Sequence, residues 1–171
     1  GYLENPVFGI VSEVAESIGV RAFVIGGFVR DCFLGRKTDD IDIVVEGSGI
    51  ALATAVADYI KAKEHHGCRV SVFKNFGTAM AFSLQKEDFG ALVDPFGGIR
   101  DLAAGIIRTP LEPDTTYSDD PLRMLRAIRF ATKLSTPEVE FKIVQESLDA
   151  MRRMKDRMSI LSKERIAEEL N

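Results

Sequence analysis

The stretch RAFVIGGFVRDCFLGRKTDDIDIVVE, residues 21–46, constrains the fold more than any other part of the chain. An apolar, β-branched run ends at Gly26-Gly27, as a buried strand running into a tight turn does. VRDCFLG then supplies two helical turns, closed by Gly35. DIDIVVE alternates apolar and acidic residues and reads as a second strand. In a strand, residues two apart share a face, so Asp40 and Asp42 present two carboxylates side by side, while Ile41 and Ile43 point into a core. Asp39 projects from the opposite face and reads as a strand-start residue.

Around this unit the chain reads as strands with interleaved helices to about residue 105, then only helices. Val7, Val11, Val14 and Ile18 mark one face of a helix that stops at Gly19. Ser48 caps a helix over about 49–62, RVSVF begins a third strand, and ALVDPFGGIRDL reads as a strand edge, a turn and a short helix. In SDDPLRMLRAIRFATKL, Asp120 is the N-cap and Pro121 the first helical residue. Thr136 and Pro137 repeat that arrangement, predicting an amphipathic helix through STPEVEFKIVQESLDAMRRM. SKERIAEELN starts a further helix inside which the chain stops, as in a fragment of something longer. The expected class is α/β (α+β): a head with a small mixed sheet, followed by an all-α region.

With 171 residues, 46% of them hydrophobic, the chain is long enough to bury the core of one domain or of one domain and part of a second. No apolar run reaches the roughly 20 residues needed to span a bilayer and no signal peptide opens the chain, so no membrane and a cytoplasmic location are expected. Cys32 and Cys68 form no spaced cluster, which points away from a disulfide framework or a zinc site. The formal charge of −4 argues against a free-standing nucleic-acid-binding module, since phosphates need local Lys and Arg. Its distribution is more telling. Residues 1–60 are acidic, whereas 121–133 carry Arg123, Arg126, Arg129 and Lys133 with no carboxylate. Metal ligands opposite phosphate ligands, or a solvated helix face, would both give that pattern.

The chemistry follows from the residue types. A glycine pair lets backbone approach a phosphate without an intervening Cβ, the helix that follows starts with amides turned toward an anion, and Arg30 adds a cation. Gly-Gly by itself is also an ordinary turn. Two adjacent carboxylates repel unless a cation bridges them or one takes a proton. Oxygen ligands of this kind suit Mg²⁺ held jointly with substrate phosphates. A solvated strand end is the alternative; an EF-hand is not, because its spaced acidic loop, central Gly and closing Glu are missing. Glycine turn, arginine and D-x-D strand together point to nucleotidyl transfer.

GGFVRDCFLGRKTDDIDIVV resembles the signature of the polymerase-beta-type nucleotidyltransferases. With DPFGGIRDL, GIIR, DDPLRMLRAIRF and SKERIAEEL in the same order, the chain is similar from residue 21 to 171 to the bacterial CCA-adding enzyme and poly(A) polymerase family, the class II tRNA nucleotidyltransferases. The resemblance implies a nucleotidyltransferase head over 1–110 and, over 111–171, the beginning of a helical nucleotide-recognition and RNA-binding domain. It implies that Gly26, Gly27 and Arg30 contact the nucleotide and that Asp40 and Asp42 are catalytic and hold two Mg²⁺. It also implies that Asp120 and Arg123 read the base, and that Arg126 and Arg129 contact the nucleotide. Arg123, Arg126 and Arg129 step by three along one helix side, as cooperating ligands must. For Asp120, capping its own helix is the competing role.

The implied reaction extends an RNA 3′ end from CTP and ATP, most simply by completing CCA on tRNA. Poly(A) addition is the alternative within the class. An inactive nucleotide- or RNA-binding domain and a small-molecule nucleotidyltransferase are the alternatives outside it. Two departures stand out. Asp119 occupies the place of the family motif's leading Glu. The family's third carboxylate and its R-R-D-F-T segment have no counterpart, because VFKNFGTAMAFSLQ runs directly from one strand to the next. A stretch omitted near residues 77–81 would account for this, and a Cα–Cα step there longer than the roughly 3.8 Å of a trans peptide is the expected sign.

Overall fold

The computed structural model describes residues 2–64 and 80–170. RVSVF and most of the 77–81 step lie outside the described residues, as does Cys68. The chain forms two compact units, residues 1–96 and 97–171, so that 97–110 pack with the second.

In the first unit, Pro6 starts helix α1 (Pro6–Ser17) and the Asn5 side chain accepts the Val7 N–H at 3.0 Å. Gly19, at φ 70°, ends it as expected. Strand β1 (Arg21–Ile25), helix α2 (Gly27–Phe33), strand β2 (Asp42–Glu46) and helix α3 (Gly49–Glu64) follow in the predicted order, with Ser48 Oγ accepting the Ala51 N–H. Strands β3 (Ala81–Ser83) and β4 (Leu92–Val93) complete an antiparallel sheet of order β2-β1-β3-β4. The central strand β1 buries Ala22, Val24 and Ile25, which is why it reads as a continuous apolar run. Phe8, Val11, Val14 and Ala15 of α1 pack with Phe28, Val29, Phe82 and Leu84 in one core, with Ile41 and Ile43 against it. Each Val, Leu or Phe so buried contributes about 1.5–3 kcal/mol.

The second unit begins with α4 (Gly98–Ala103) and β5 (Ile106–Ile107). Helices α5 (Pro113–Asp119) and α6 (Leu122–Leu134) follow, then β6 (Lys142–Ile143), α7 (Gln145–Met154), a 3₁₀ segment (Lys155–Ile160) and α8 (Lys163–Leu170). Tyr117 of α5, Met124 of α6 and Ala150 of α7 form its small core, lined by Met151, Met154 and Met158.

Two expectations fail here. This part is not purely helical, because β5 and β6 pair in parallel, Ile106 with Lys142 and Ile107 with Ile143. No helix starts at Thr136. That residue closes a turn instead, its Oγ1 accepting the Val139 N–H at 3.2 Å, and the helix begins only at Gln145. The reason lies in VEFKI, whose alternation serves the strand partner offered by β5. The turn at Gly105 (φ 66°) needs glycine, since a Cβ there would meet the Glu140 carbonyl oxygen at 2.6 Å.

Candidate functional site

Pairing of β1 with β2 sets Asp42 directly across from Ile25, the residue before the glycine turn. Gly26 adopts φ 74° and ψ −142°, a conformation open essentially to glycine alone. A Cβ on Gly26 would stand 2.9 Å from Asp42 Oδ2, so the missing side chain is what lets the carboxylate rest on the turn. Asp42 is partly buried. Burial, and then the charge of Asp40, push its carboxyl above the ordinary value. Asp40 is exposed and sits just before the strand, its N–H donated to Thr38 Oγ1 at 3.3 Å. β2 therefore starts at Asp42, later than the sequence pattern implies, yet the two acids still act on each other electrostatically.

Arg30 lies on the same turn. Its Nη2 is 3.4 Å from where a Cβ of Gly27 would be, so Gly27 makes room for the guanidinium. Arg30 Nε and Nη2 donate to the two carboxylate oxygens of buried Asp31 at 2.8 and 2.9 Å, a bidentate clamp that fixes the cation. Gly26, Gly27, Arg30, Asp40 and Asp42 thus belong to one small region of the first unit. Its ligands fit a hard divalent cation: two carboxylates, one of them partly buried and resisting its own charge. No group of three or more His, Cys, Asp or Glu suited to a metal occurs among the described residues. Cys32 is a poor nucleophile here, because burial and then Asp31 push its thiol up.

Asp120, Arg123, Arg126 and Arg129 belong to the second unit. The helix starts one residue later than expected, at Leu122 with Pro121 as its N-cap; Asp120, extended and ending α5, still reaches forward, its Oδ1 accepting the Leu122 N–H at 3.2 Å. Its other oxygen, Oδ2, accepts from Arg165 Nη2 at 3.0 Å. Arg123 Nη1 is 3.1 Å from Asp119 Oδ2 and donates to the Thr116 carbonyl at 3.2 Å. Arg126 and Arg129 converge on Glu169: Arg129 Nε at 2.9 Å from Oε1, Arg126 Nη1 at 3.8 Å from Oε2. Both guanidinium groups also lie over the Phe130 ring, at 5.8 and 5.1 Å from its centroid.

Arg165 and Glu169 escaped the sequence reading as site residues. The available signal was their spacing of four in SKERIAEEL, which sets opposite charges on one helix face. A shallow depression of about 470 Å³, lined by Asp114, Thr115, Ser118, Asp119 and Met154, adjoins this row. No helix among the described residues is long and apolar enough to cross a membrane.

Comparison with known proteins gives a consistent picture. The family described as "Poly A polymerase head domain" matches residues 22–78, and "Probable RNA and SrmB- binding site of polymerase A" matches 140–171. The chain is 34% identical over 162 residues to the A-adding tRNA nucleotidyltransferase of Aquifex aeolicus, taking in 68% of this chain and 19% of that one. It is 30% identical over 195 residues to the CC-adding tRNA nucleotidyltransferase of Geobacter sulfurreducens, covering 99% of this chain and 44% of the relative. The Thermotoga maritima CCA-adding enzyme, solved in complex with tRNA, matches with a TM-score of 0.78 at 28% identity, over 96% of this chain and 45% of that one. The chain thus spans less than half the length of each. The Geobacter alignment runs over 195 residues against the 171 of the chain, so that relative carries residues with no counterpart here.

Proposed function

Because the chain belongs to the CCA-adding enzyme and poly(A) polymerase family, we propose that it is the head, and the start of the helical nucleotide-recognition and RNA-binding region, of an enzyme that adds C and A to the 3′ end of tRNA. Residues 1–110 supply the head and 111–171 the beginning of the second part. The observation that carries this reading is the Asp42 carboxylate seated on the bare Gly26 turn with Asp40 beside it.

Asp40 and Asp42 would hold Mg²⁺, up to two ions. Bound there, Mg²⁺ would neutralise charge on the attacking and leaving oxygens of an in-line phosphoryl transfer. The Gly26-Gly27 turn admits the triphosphate of CTP or ATP close to backbone, and clamped Arg30 faces it with a fixed positive charge. The tRNA 3′-hydroxyl gives its proton to solvent and bonds to the α-phosphorus, and the bond from that phosphorus to the bridging oxygen breaks, releasing pyrophosphate. Asp120 accepts from the amino group that cytosine and adenine both carry, and Arg123 offers donors to the same base edge. Arg126 and Arg129 would contact the nucleotide from that helix face, their shared partner Glu169 holding them in place.

The test is incorporation of labelled CTP and ATP into tRNA lacking its CCA end. Extension by the wild-type chain, reduced about a thousandfold in Asp42→Asn, is the expected result. Products from a mixture of both nucleotides separate CCA completion from poly(A) addition. The departure around VFKNFGTAMAFSLQ favours one other reading, a nucleotide-binding domain without catalysis. Mg²⁺-dependent CTP or ATP binding with no extension by wild type would establish that reading and defeat the enzymatic one.

A further inference from the structure

We infer that Arg165 is a specificity-positioning residue, which aims the Asp120 carboxylate so that it selects bases bearing an amino group. The inference rests on the reading of Asp120 proposed above. Both oxygens of Asp120 are held from outside its own side chain: Oδ1 by the Leu122 N–H at 3.2 Å and Oδ2 by Arg165 Nη2 at 3.0 Å. Two donors from two helices fix the plane of the group, which one cap bond alone would leave free to turn about Cβ–Cγ. A carboxylate accepts through several lone pairs and donates nothing, so a fixed one with lone pairs to spare favours the amino group of cytosine or adenine. The keto oxygen of uracil or guanine would face it with acceptor against acceptor, leaving both unpaired.

Arg165 comes from α8, 45 residues along the chain, and α8 is anchored for this purpose. Glu169 lies one turn further on the same face, buried, and meets Arg129 and Arg126 of α6. The acid thus docks the helix and the arginine is delivered at the other end of the contact. With its side chain 48% exposed, the Arg165 pair is of the kind that adds little to stability. Its geometry bears instead on where Asp120 points.

The test measures binding of CTP, ATP, UTP and GTP to the whole chain by calorimetry, with melting temperature recorded for every variant. Arg165→Gln is expected to lower the preference for CTP over UTP and for ATP over GTP about tenfold, with little change in melting temperature. Arg165→Lys retains part of the preference. Asp120→Ala loses it, and adding Arg165→Gln to that variant changes nothing more. A wild-type preference in Arg165→Gln, with the preference lost in Asp120→Ala, overturns the inference and leaves the reading of Asp120 standing. An unselective wild type, or an Asp120→Ala variant as selective as wild type, defeats both. Equal weakening of all four nucleotides in Arg165→Gln, together with a lowered melting temperature, marks a merely structural role and also overturns it.

Discussion

The two groups of candidate residues are held in place by different means. Asp42 is positioned by backbone: strand register sets it opposite Ile25, and a glycine in a conformation closed to other residues clears the space it fills. The arginine row of α6 is positioned by side chains, chiefly Glu169 and Arg165 arriving on α8. The first arrangement is set by sheet register, with Asp42 opening the edge strand β2. The second depends on a contact between helices that a single substitution can undo.

Gly26→Ala is the sharpest attack on the first arrangement. Backbone strain at φ 74°, ψ −142° and a Cβ 2.9 Å from Asp42 Oδ2 combine. A loss of about 2–3 kcal/mol in denaturant unfolding is expected from strain of this kind, with nucleotide incorporation down about a hundredfold as the carboxylate is displaced. Normal stability and activity would mean that the turn does not seat Asp42. Glu169→Ala attacks the second arrangement. It leaves Arg129 facing an emptied, mostly buried site and is expected to cost about 2 kcal/mol, less than a fully buried pair because Arg129 is part-exposed. The comparison would fail if the melting curve of this variant matched wild type while nucleotide binding was unchanged.

The smallest effect concerns the titration of Asp42. Its carboxyl is raised in the fold, by burial first and then by Asp40. The folded state therefore keeps that proton to higher pH than the unfolded chain, and stability falls as pH rises from the ordinary carboxylate range through the raised value. In metal-free buffer above that range, Asp42→Asn should melt on the order of a degree or two higher than wild type. Mg²⁺ should raise the melting temperature of wild type, increasingly as pH rises, and leave the variant unmoved. A metal response in Asp42→Asn equal to that of wild type would remove Asp42 from the ligand set.

What was legible in the sequence follows the same division. The strand–turn–helix–strand unit of residues 21–46 was readable because glycine, β-branched alternation and cap residues each report on their own backbone. That Asp120 binds the start of the next helix was readable for the same reason, since the bond it makes is two residues away, although the N-cap itself is Pro121. The partners of Asp120, Arg126 and Arg129 were not, because Arg165 and Glu169 lie some 40 residues along the chain and only packing reveals them. Lys142–Ile143 misled for a related reason. Thr136-Pro137 has the composition of a helix start, and the pull toward a strand came from Ile106–Ile107, invisible to any local window.

That two-residue pairing has a consequence for exchange between relatives. It brings the two ends of the segment carrying α5 and α6 side by side, so that everything from Asp119 to Arg129 is borne on a chain whose entry and exit are neighbours. A segment with adjoining ends can be lifted out and replaced with little disturbance of its surroundings, and the entropy of closing it changes only slowly with its length. The α5–α6 segment is in this sense a cassette. The corresponding segment of a relative would be grafted there by matching two short strands and the face that α8 covers.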